Sequence, residues 1–342
     1  MKKIVKTLLL IIITISFFSC SKQLIGTEKP NTPLSNFESL WTDFDIHYGS
    51  FIPRKIDWEN QKSKCSPLIN NSMNEEELYK VLVKLLDTLN DDHVFLRPMK
   101  STGLPWYTGG IIGRTKIEDF DKKVAQAYLK RKQVYNKALE YGVFDGNVGY
   151  LNIIDLGMNY DVYPKAMDVI LDSLKNTKGI IIELRENGGG SDRVAQYIAN
   201  RFASSKHLAF TASLKKGPNH SDFAKPIESF TEPAGNYQYI KPVVLLTNLN
   251  CFSSGETFVL AMQQNSNVKL VGDYTGGALS DAVERELPNG WLYRLPIADV
   301  RDATGKSLEG IGIMPDYLIK NSKAELKAGT DKVLEKGLIL LK

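Results

Sequence analysis

The sequence predicts a mixed α/β fold in which a small helical domain precedes a core of alternating strands and helices. After residue 148, short apolar runs such as 179–184 and 242–247 alternate with segments of helical periodicity, which is typical of a parallel sheet covered by helices. Before residue 98, apolar residues recur at helical spacing instead. These observations predict a helical domain at 33–98, a connecting segment at 99–147, an α/β core at 148–320 and a helical tail at 321–342.

The first twenty residues have the features of a targeting segment. Three lysines in the first six residues precede the apolar run 8–18, which is too short to span a bilayer comfortably. The run ends in FFSC, the pattern of a bacterial lipobox, in which the cysteine is lipidated. We expect a lipoprotein signal peptide at 1–20, a lipid on Cys20 and a tether at 21–32, with a plain signal peptide as the alternative. The protein would then be exported and anchored in the cell envelope, facing the periplasm.

The helical domain contains two clearly predicted helices. One begins at Thr32 and Pro33, a capping residue followed by a proline at the first helical position. The other begins after Asn74, which precedes three glutamates and a broad apolar face that ends at Leu89. His47 lies in an aromatic stretch after the first helix, and we interpret it as a packing residue.

The core is predicted as a series of strands and helices in alternation. The strands are 149–154, 179–184, 242–247 and 268–271, the helices are 161–174, 191–202 and 254–264, and an antiparallel hairpin occupies 282–297. Ligands of open α/β sheets bind outside the carboxyl ends of the parallel strands. We therefore expect a catalytic site in the loops that follow these strands.

Composition and charge exclude several classes of function. The chain has 342 residues with 43 basic and 39 acidic side chains, and three of the basic ones lie in the leader. A near-neutral mature protein gives no reason to expect a nucleic-acid partner. Cys65 and Cys251 remain after the leader, and their spacing does not decide between a disulfide and two buried thiols. The four histidines lack the spacing of a metal site, so we expect no metal and no cofactor.

The turn 247–256 joins a buried strand to a helix and contains Ser253 and Ser254. A serine there lies at a helix N-terminus, where free N–H groups and the helix dipole favour developing negative charge. An acyl-transfer nucleophile requires this environment. Serine is also a common N-cap residue, so the turn alone favours capping over catalysis.

Three successive glycines, 188–190, lie in a second loop between a strand and a helix. Glycines permit a close backbone approach and let N–H groups point into a pocket. The loop has neither the GxGxxG spacing nor a Walker lysine, so it does not match a nucleotide-binding fingerprint. An oxyanion hole and a tight structural turn both remain open.

His93 follows Asp91 and Asp92 at the end of the second helix. A neighbouring carboxylate can orient an imidazole and stabilise its protonated form. Taken alone, an isolated histidine is more often inert.

Five segments together resemble the tail-specific (C-terminal processing) serine peptidases, in the branch of the tricorn core. They occur in the order LNDDHVFL, GIIIELRENGGG, VVLLTNLNCFSSGE, VGDYTGGA and LEGIGIMPD. The segment WTDFDIHYGSFIPRKIDWEN is similar to the small domain before that core, so the resemblance covers residues 33 to about 320. It implies a spiral ClpP/crotonase-like core and a serine endopeptidase that acts on peptides or unfolded protein tails.

The resemblance also implies roles for individual residues. Ser253 matches the nucleophile and His93 the general base. Glu309 or Asp92 would orient His93, although tricorn has a serine where this chain has Asp92. A histidine base with an ordinary pKa would make activity fall as the pH drops through about 6 to 7.

The oxyanion hole would be formed by the N–H groups of Ser254 and of a glycine, for which Gly189 is preferred over Gly188. Ala278 stands where the Ser/Lys branch of the family has its lysine, so that mechanism is excluded. The segment between the helical domain and the core is too short for the PDZ domain of that branch. Arg185 and Asp316 lie in family motifs, and we expect a structural salt bridge for each.

Two other functions compete with a peptidase. A catalytically silent member of the family could bind peptide or a hydrophobic ligand in the same cleft. An acyl-CoA-type hydrolase or hydratase with a similar spiral fold is disfavoured by export. The complete set of serine, histidine and acid favours the enzyme.

Overall fold

The structure is a computed structural model that describes residues 29–342. The predicted signal peptide, its Cys20 and residues 21–28 of the predicted tether lie outside the described residues. Within residues 29–342, no helix is long and apolar enough to cross a membrane.

The N-terminal half begins with helices and then turns to strands. Its elements are α1 (Pro33–His47), α2 (Phe51–Arg54), α3 (Trp58–Cys65), α4 (Glu75–Asp87), β1 (Phe95–Arg97), β2 (Tyr107–Thr108), α5 (Lys122–Ala127), β3 (Leu129–Val134), β4 (Leu139–Phe144), β5 (Val148–Ile153) and α6 (Val162–Leu174).

The C-terminal half alternates strands and helices before it ends in two helices. Its elements are β6 (Ile180–Glu183), α7 (Asp192–Asn200), β7 (His207–Leu214), β8 (Ile227–Thr231), β9 (Val243–Thr247), α8 (Ser254–Met262), β10 (Val268–Gly272), β11 (Ala282–Glu286), β12 (Leu292–Pro296), β13 (Ala298–Asp302), β14 (Tyr317–Leu318), α9 (Lys323–Lys327) and α10 (Lys332–Leu340).

Both predicted helix starts in the N-terminal domain are confirmed. Thr32 Oγ1 accepts the N–H of Ser35 at 3.2 Å, and Pro33 occupies the first turn of α1. Asn74 and Glu77 form a reciprocal capping box at the start of α4. These helices enclose an aromatic core that includes Phe37, Phe44, Tyr48 and Trp58.

The main sheet has seven strands in the order β14-β10-β9-β6-β5-β4-β3. Strands β5, β6, β9, β10 and β14 are parallel, whereas β3 and β4 add an antiparallel edge. The central parallel strands β5, β6 and β9 are buried along their whole length, because helices cover the sheet. The predicted mixed α/β core is confirmed, and its parallel strands bring the loops after β6 and β9 to one edge.

The predicted connecting segment 99–147 is wrong, because β3 and β4 within it belong to the core sheet. The sequence LKRKQV of β3 is exposed along most of its length. Charged residues are common on edge strands, where they oppose pairing with other chains, and they hide the apolar signal of a strand. The predicted tail is part of the core as well, since Val333 and Leu334 of α10 are buried against Ile181 and Val244.

The predicted hairpin of β11 and β12 is confirmed, but its sheet crosses the predicted domain boundary. This sheet has the order β11-β12-β1-β2, and its buried residues Tyr293 and Leu295 pack into the core of the helical domain. A third sheet has the order β13-β7-β8. The helical domain is therefore completed by residues from the far end of the chain.

Two of the residues in family motifs have structural roles. Arg185 is buried and forms ion pairs with Glu183 at 2.7 Å and with Asp331 at 2.8 Å, as expected for a structural salt bridge. The salt bridge predicted for Asp316 is wrong: its carboxylate instead accepts the N–H of Leu270 at 2.8 Å. Cys65 and Cys251 are two buried free thiols.

Candidate active site

Ser253 lies between β9 and α8 in a backbone conformation that is unusual for a residue with a side chain. Its φ is 58° and its ψ is −132°, and its side chain makes no capping hydrogen bond to α8. Such a conformation costs roughly 1–3 kcal/mol and is concentrated at functional sites. The capping role that the turn alone favours is therefore wrong.

The glycine loop after β6 packs directly against this turn. A Cβ atom added to Gly189 would lie 2.7 Å from Ser253 Cβ and 2.8 Å from the Ser254 nitrogen. The φ of Gly189 is 94°, which residues with a side chain rarely adopt. Glycine is thus required here both by the space and by the backbone conformation.

Two backbone N–H groups beside Ser253 have no acceptor among the described residues, namely those of Ser254 and Gly188. Ser254 is the first residue of α8, whose opening N–H groups have no partner within the helix. The N–H of Gly189, which the family resemblance implies as a donor, is used by Asn187 Oδ1 at 2.9 Å. Of the three glycines in the loop, Gly188 and Gly190 have N–H groups without an acceptor among the described residues, and we take Gly188, which the family resemblance also implies, as the second donor.

A cavity of about 380 Å³ brings the nucleophile, the base and the glycine loop together. It is lined by His93, Asp155, Gly188, Gly189, Gly190, Phe252, Ser253 and Arg294. His93 is 1% exposed, and its ring meets that of Phe252 edge-on at 6.0 Å. Neither ring nitrogen of His93 has a hydrogen-bond partner within residues 29–342, so the imidazole is free to exchange a proton with a group in the cavity.

The carboxylate of Asp92 makes no hydrogen bond to the ring of His93 among the described residues. Its carboxylate accepts the N–H groups of Ile111, Ile112 and Gly113, at 3.2, 2.8 and 3.1 Å. Three such bonds fix the turn after β2 and use the oxygens that would otherwise orient an imidazole. Asp92 therefore fixes that turn, and the structure gives its implied role as the orienting acid no hydrogen bond to rely on.

Glu309 lies nearby in a buried position, again without a hydrogen bond to His93. Its Oε1 accepts the N–H groups of Leu279 at 2.9 Å and Ser280 at 2.6 Å, and its Oε2 accepts Arg54 Nη2 at 3.0 Å. Burial and the charge of Asp91 raise the pKa of Glu309 to about 8. The carboxyl group of Glu309 therefore fixes the backbone of Leu279 and Ser280.

Asp91, which no motif distinguishes from Asp92, is the carboxylate that bonds to His93. Its Oδ1 accepts the N–H of His93 at 2.9 Å, and its Oδ2 accepts the hydroxyl of Tyr48 at 2.7 Å. Burial opposes ionisation of Asp91, but Arg54, whose Nε lies 3.5 Å away, helps to hold its pKa below the ordinary value. A buried negative charge therefore lies beside the imidazole.

Arg54 and Glu256 have no role predicted from the sequence, and both bind the backbone at Gly277 and Ala278. Arg54 extends from α2 to the carbonyl oxygen of Gly277 at 2.8 Å, and so joins the helical domain to the core. Buried Glu256 accepts the N–H groups of Gly277 and Ala278, both at 2.9 Å. The carbonyl oxygen of Ala278 in turn accepts the N–H of Ser253 at 2.9 Å.

Burial changes the expected pH dependence. Desolvation lowers the pKa of His93 to about 4, although Asp91 acts in the opposite direction. The base must be neutral to accept a proton, so we expect kcat/KM to be level through neutral pH and to fall only near pH 4, not at 6 to 7. Asp91→Asn should move this fall to lower pH, because it removes a negative charge that stabilises the imidazolium.

The measurement is a profile of kcat/KM from pH 3 to 8, with circular dichroism at each pH. The unfolded chain protonates His93 below about 6.5 and the folded chain only below about 4, so this residue's contribution to stability declines over that window as the pH falls. Asp92→Asn is the control and should leave the midpoint unchanged. A fall near pH 6.5 that Asp91→Asn does not move would contradict the account.

Within the described part of the chain, no group of histidine, cysteine and acidic residues could hold a metal ion.

Comparison with known proteins identifies the family that this chain resembles. The model of peptidase family S41 matches residues 147–319, and that of the tricorn protease C1 domain matches residues 30–87. The chain is 26% identical over 217 residues to the carboxy-terminal processing protease CtpA of Bacillus subtilis, a match of 63% of this chain and 42% of that protein. It thus spans less than half the length of that relative.

Two further proteins match over most of their length. The nisin-resistance protein of Lactococcus lactis subsp. lactis is 24% identical over 289 residues, which are 81% of this chain and 80% of that protein. The crystal structure of a candidate peptidase from Parabacteroides merdae superposes with a TM-score of 0.82 and 28% identity, over 91% of this chain and 97% of that one. The predicted peptidase-type core fold is thereby confirmed.

Proposed function

This chain belongs to peptidase family S41, and on that basis we propose that it is a serine endopeptidase with Ser253 as nucleophile and His93 as general base. The observation that carries the proposal is the backbone of Ser253, which is held at a φ of 58° beside two N–H groups that have no acceptor among the described residues. Capping does not explain this conformation, whereas presentation of a hydroxyl to a substrate carbonyl does.

In the proposed reaction, Ser253 Oγ attacks the carbonyl carbon of a peptide bond while His93 takes the hydroxyl proton. The N–H groups of Ser254 and Gly188 donate to the oxygen that becomes negative. The tetrahedral intermediate then collapses as His93 gives the proton to the leaving amine. A water molecule, deprotonated by the same histidine, releases the acyl group from Ser253.

Asp91 is proposed as the carboxylate that stabilises the imidazolium. Its charge lies beside His93, and its hydrogen bond to the His93 backbone fixes the position of that residue. Glu309 is proposed as a positioning residue, because it holds the backbone of Leu279 and Ser280 and the guanidinium of Arg54. A silent binding protein would need no such arrangement around an uncapped serine.

The proposed substrates are peptides and unfolded protein tails. A cavity of about 380 Å³ lies beside Ser253, and CtpA is named for carboxy-terminal processing. The test is incubation with a reduced, unfolded protein and identification of new termini by mass spectrometry. Internal cleavage by the wild-type protein but not by Ser253→Ala is expected, and an intact substrate under all conditions would overturn the proposal.

We also propose that the protein is exported and held in the cell envelope by a lipid on Cys20, on the basis of the leader sequence alone. Cys20→Ala should shift the protein from the membrane fraction to the soluble fraction and leave peptide hydrolysis intact, because none of the residues assigned to the site belongs to the leader or the tether. Cys65→Ala, which changes a buried thiol, is the control and should remain with the membranes. A Cys20→Ala protein that still fractionates with membranes would contradict this mode of attachment.

A further inference from the structure

The sheet β11-β12-β1-β2 has one buried face and one face that continues the active-site cleft. Tyr293 and Leu295 point into the helical domain, so Arg294 between them lies on the opposite face. Its partner across the pair of strands is Phe95 on β1. Arg294 therefore lies on the outer face of the sheet, at the cavity of Ser253. From there the same face continues across β1 and β2.

The guanidinium of Arg294 has no ion pair and no hydrogen bond among the described residues, although Arg294 lines the cavity beside His93. Glu284 lies opposite it on β11, but the carboxylate of Glu284 is bound by Arg97 at 3.3 Å. Asp155, which lines the same cavity, accepts the N–H of Gly157 at 2.8 Å and is not paired with Arg294. A permanently charged guanidinium is thus left available to a ligand in the cleft.

A shallow groove of about 310 Å³ lies farther along the same face. Its lining residues include Arg97, Met99, Trp106 and Leu292. Trp106 is 60% exposed and stacks on Phe95 at 6.0 Å with an angle of 6° between the rings. An apolar floor with basic residues at its edge suits a short peptide segment that bears a negative charge.

The position of Arg294 also indicates which part of a substrate it meets. His93 must protonate the leaving amine, so the leaving segment lies on the His93 side of Ser253. Arg294 lines the same cavity as His93, so it faces a substrate segment that is bound beside this histidine.

We propose that Arg294 determines specificity by binding a substrate carboxylate on the leaving-group side, within a few residues of the scissile bond. A guanidinium binds a carboxylate through two parallel hydrogen bonds, which a neutral amide cannot replace. The carboxylate is supplied either by the C-terminus of the substrate or by an acidic side chain at the same distance. This inference rests on the proposed peptidase function and names the substrate class of that site.

The test compares matched peptides. One pair differs only in a free or an amidated C-terminus placed two to three residues after the cleaved bond. A second pair, amidated and longer, differs only in Asp or Asn at that position. For the wild-type protein we expect kcat/KM to favour the carboxylate in at least one pair by about tenfold or more, mainly through KM. A preference in the first pair identifies the C-terminus as the source, and one in the second pair identifies a side chain.

Arg294→Gln should reduce the preferred ratio to near one, and Arg294→Lys should keep part of it, since lysine retains the charge but not the paired geometry. Arg131→Gln, an exposed change on the far edge of the core sheet, is the matched control and should keep the full ratio. Ratios near one in both wild-type pairs, or a ratio that survives Arg294→Gln, would overturn the inference. If the wild-type protein cleaved none of the four peptides, the proposed peptidase function would fail. The failure of this inference, in which peptides are cleaved without preference, is therefore distinguishable from the failure of the proposed function.

Discussion

Ser253→Ala should lower peptide hydrolysis by several orders of magnitude and leave the fold intact. The substitution removes only Oγ, which makes no capping hydrogen bond to α8, and keeps the Cβ atom in its backbone conformation. Stability should therefore change by well under the roughly 1 kcal/mol that loss of an N-cap costs. Loss of an acyl-transfer nucleophile removes the covalent pathway altogether, and only transition-state binding remains. The measurements are kcat/KM with a peptide substrate and a thermal melt.

Cys251→Ala is the matched control, because Cys251 carries the one thiol of the same turn. Burial raises the pKa of its thiol well above the ordinary value, so Cys251 is a neutral packing residue. We expect this variant to hydrolyse peptide within a few fold of the wild-type rate. An active Ser253→Ala protein, or an inactive Cys251→Ala protein with an unchanged melt, would reassign the nucleophile.

His93→Ala should be almost as damaging as Ser253→Ala. A nucleophile and its base act as one unit, so the double variant should lose little more than either single variant. No other histidine is present in the cavity of Ser253, and so none can replace the base. The measurement is kcat/KM for the two single variants and the double variant at one neutral pH.

His220→Ala is the control for this prediction. Its ring stacks on Phe51 at 4.2 Å and bonds Asp45 at 2.9 Å, at a contact between the helical domain and the loop that joins β7 to β8. Its loss should change stability slightly and the rate little, and the same small effect on the rate is expected for alanine at His47 and His207. If His93→Ala cleaved peptide normally, or if its effect simply multiplied that of Ser253→Ala, the shared role of the two residues would be refuted.

The parts of the fold that depend on local pattern were predictable. Continuous apolar runs identify buried parallel strands, and capping residues identify the starts of α1 and α4. Pairing between distant segments was not: β1 pairs with β12 across almost 200 residues, in the register Leu96 to Tyr293. Nothing in a three-residue strand such as β1 specifies that partner. The strand β3 was missed because its exposed basic residues replace the alternation of a half-buried strand.

The candidate site shows the same division. Ser253, His93 and the glycine loop follow from motif order, whereas the choice between Asp91 and Asp92 depends on the backbone turn that precedes them. Asn90 has a φ of 47°, and beyond it the two adjacent carboxylates bond to different segments. Sequence spacing alone does not show which of the two carboxylates faces His93. Arg54 was missed for a related reason, since its partners lie on segments far along the chain.

The pKa of His93 required the structure as well. An isolated imidazole titrates near 6.5, and the sequence contains no measure of how deeply this ring is buried. Arg294 could have been found earlier: in the strand LYRLP it is the polar residue between two apolar ones, which predicts that it faces away from the core. What the alternation does not reveal is that its cross-strand carboxylate is already bound by another arginine.

The central claim is that Ser253 is an activated nucleophile, and covalent labelling tests it most directly. A fluorophosphonate probe reacts with a serine whose hydroxyl is deprotonated by a base and whose surroundings stabilise the resulting oxyanion. Incubation of the folded protein with the probe, followed by peptide mass spectrometry, should place one adduct on Ser253, slow its formation in His93→Ala and abolish it in Ser253→Ala. A protein that cleaves peptide but carries no adduct on Ser253, or carries it on another residue, would contradict the account.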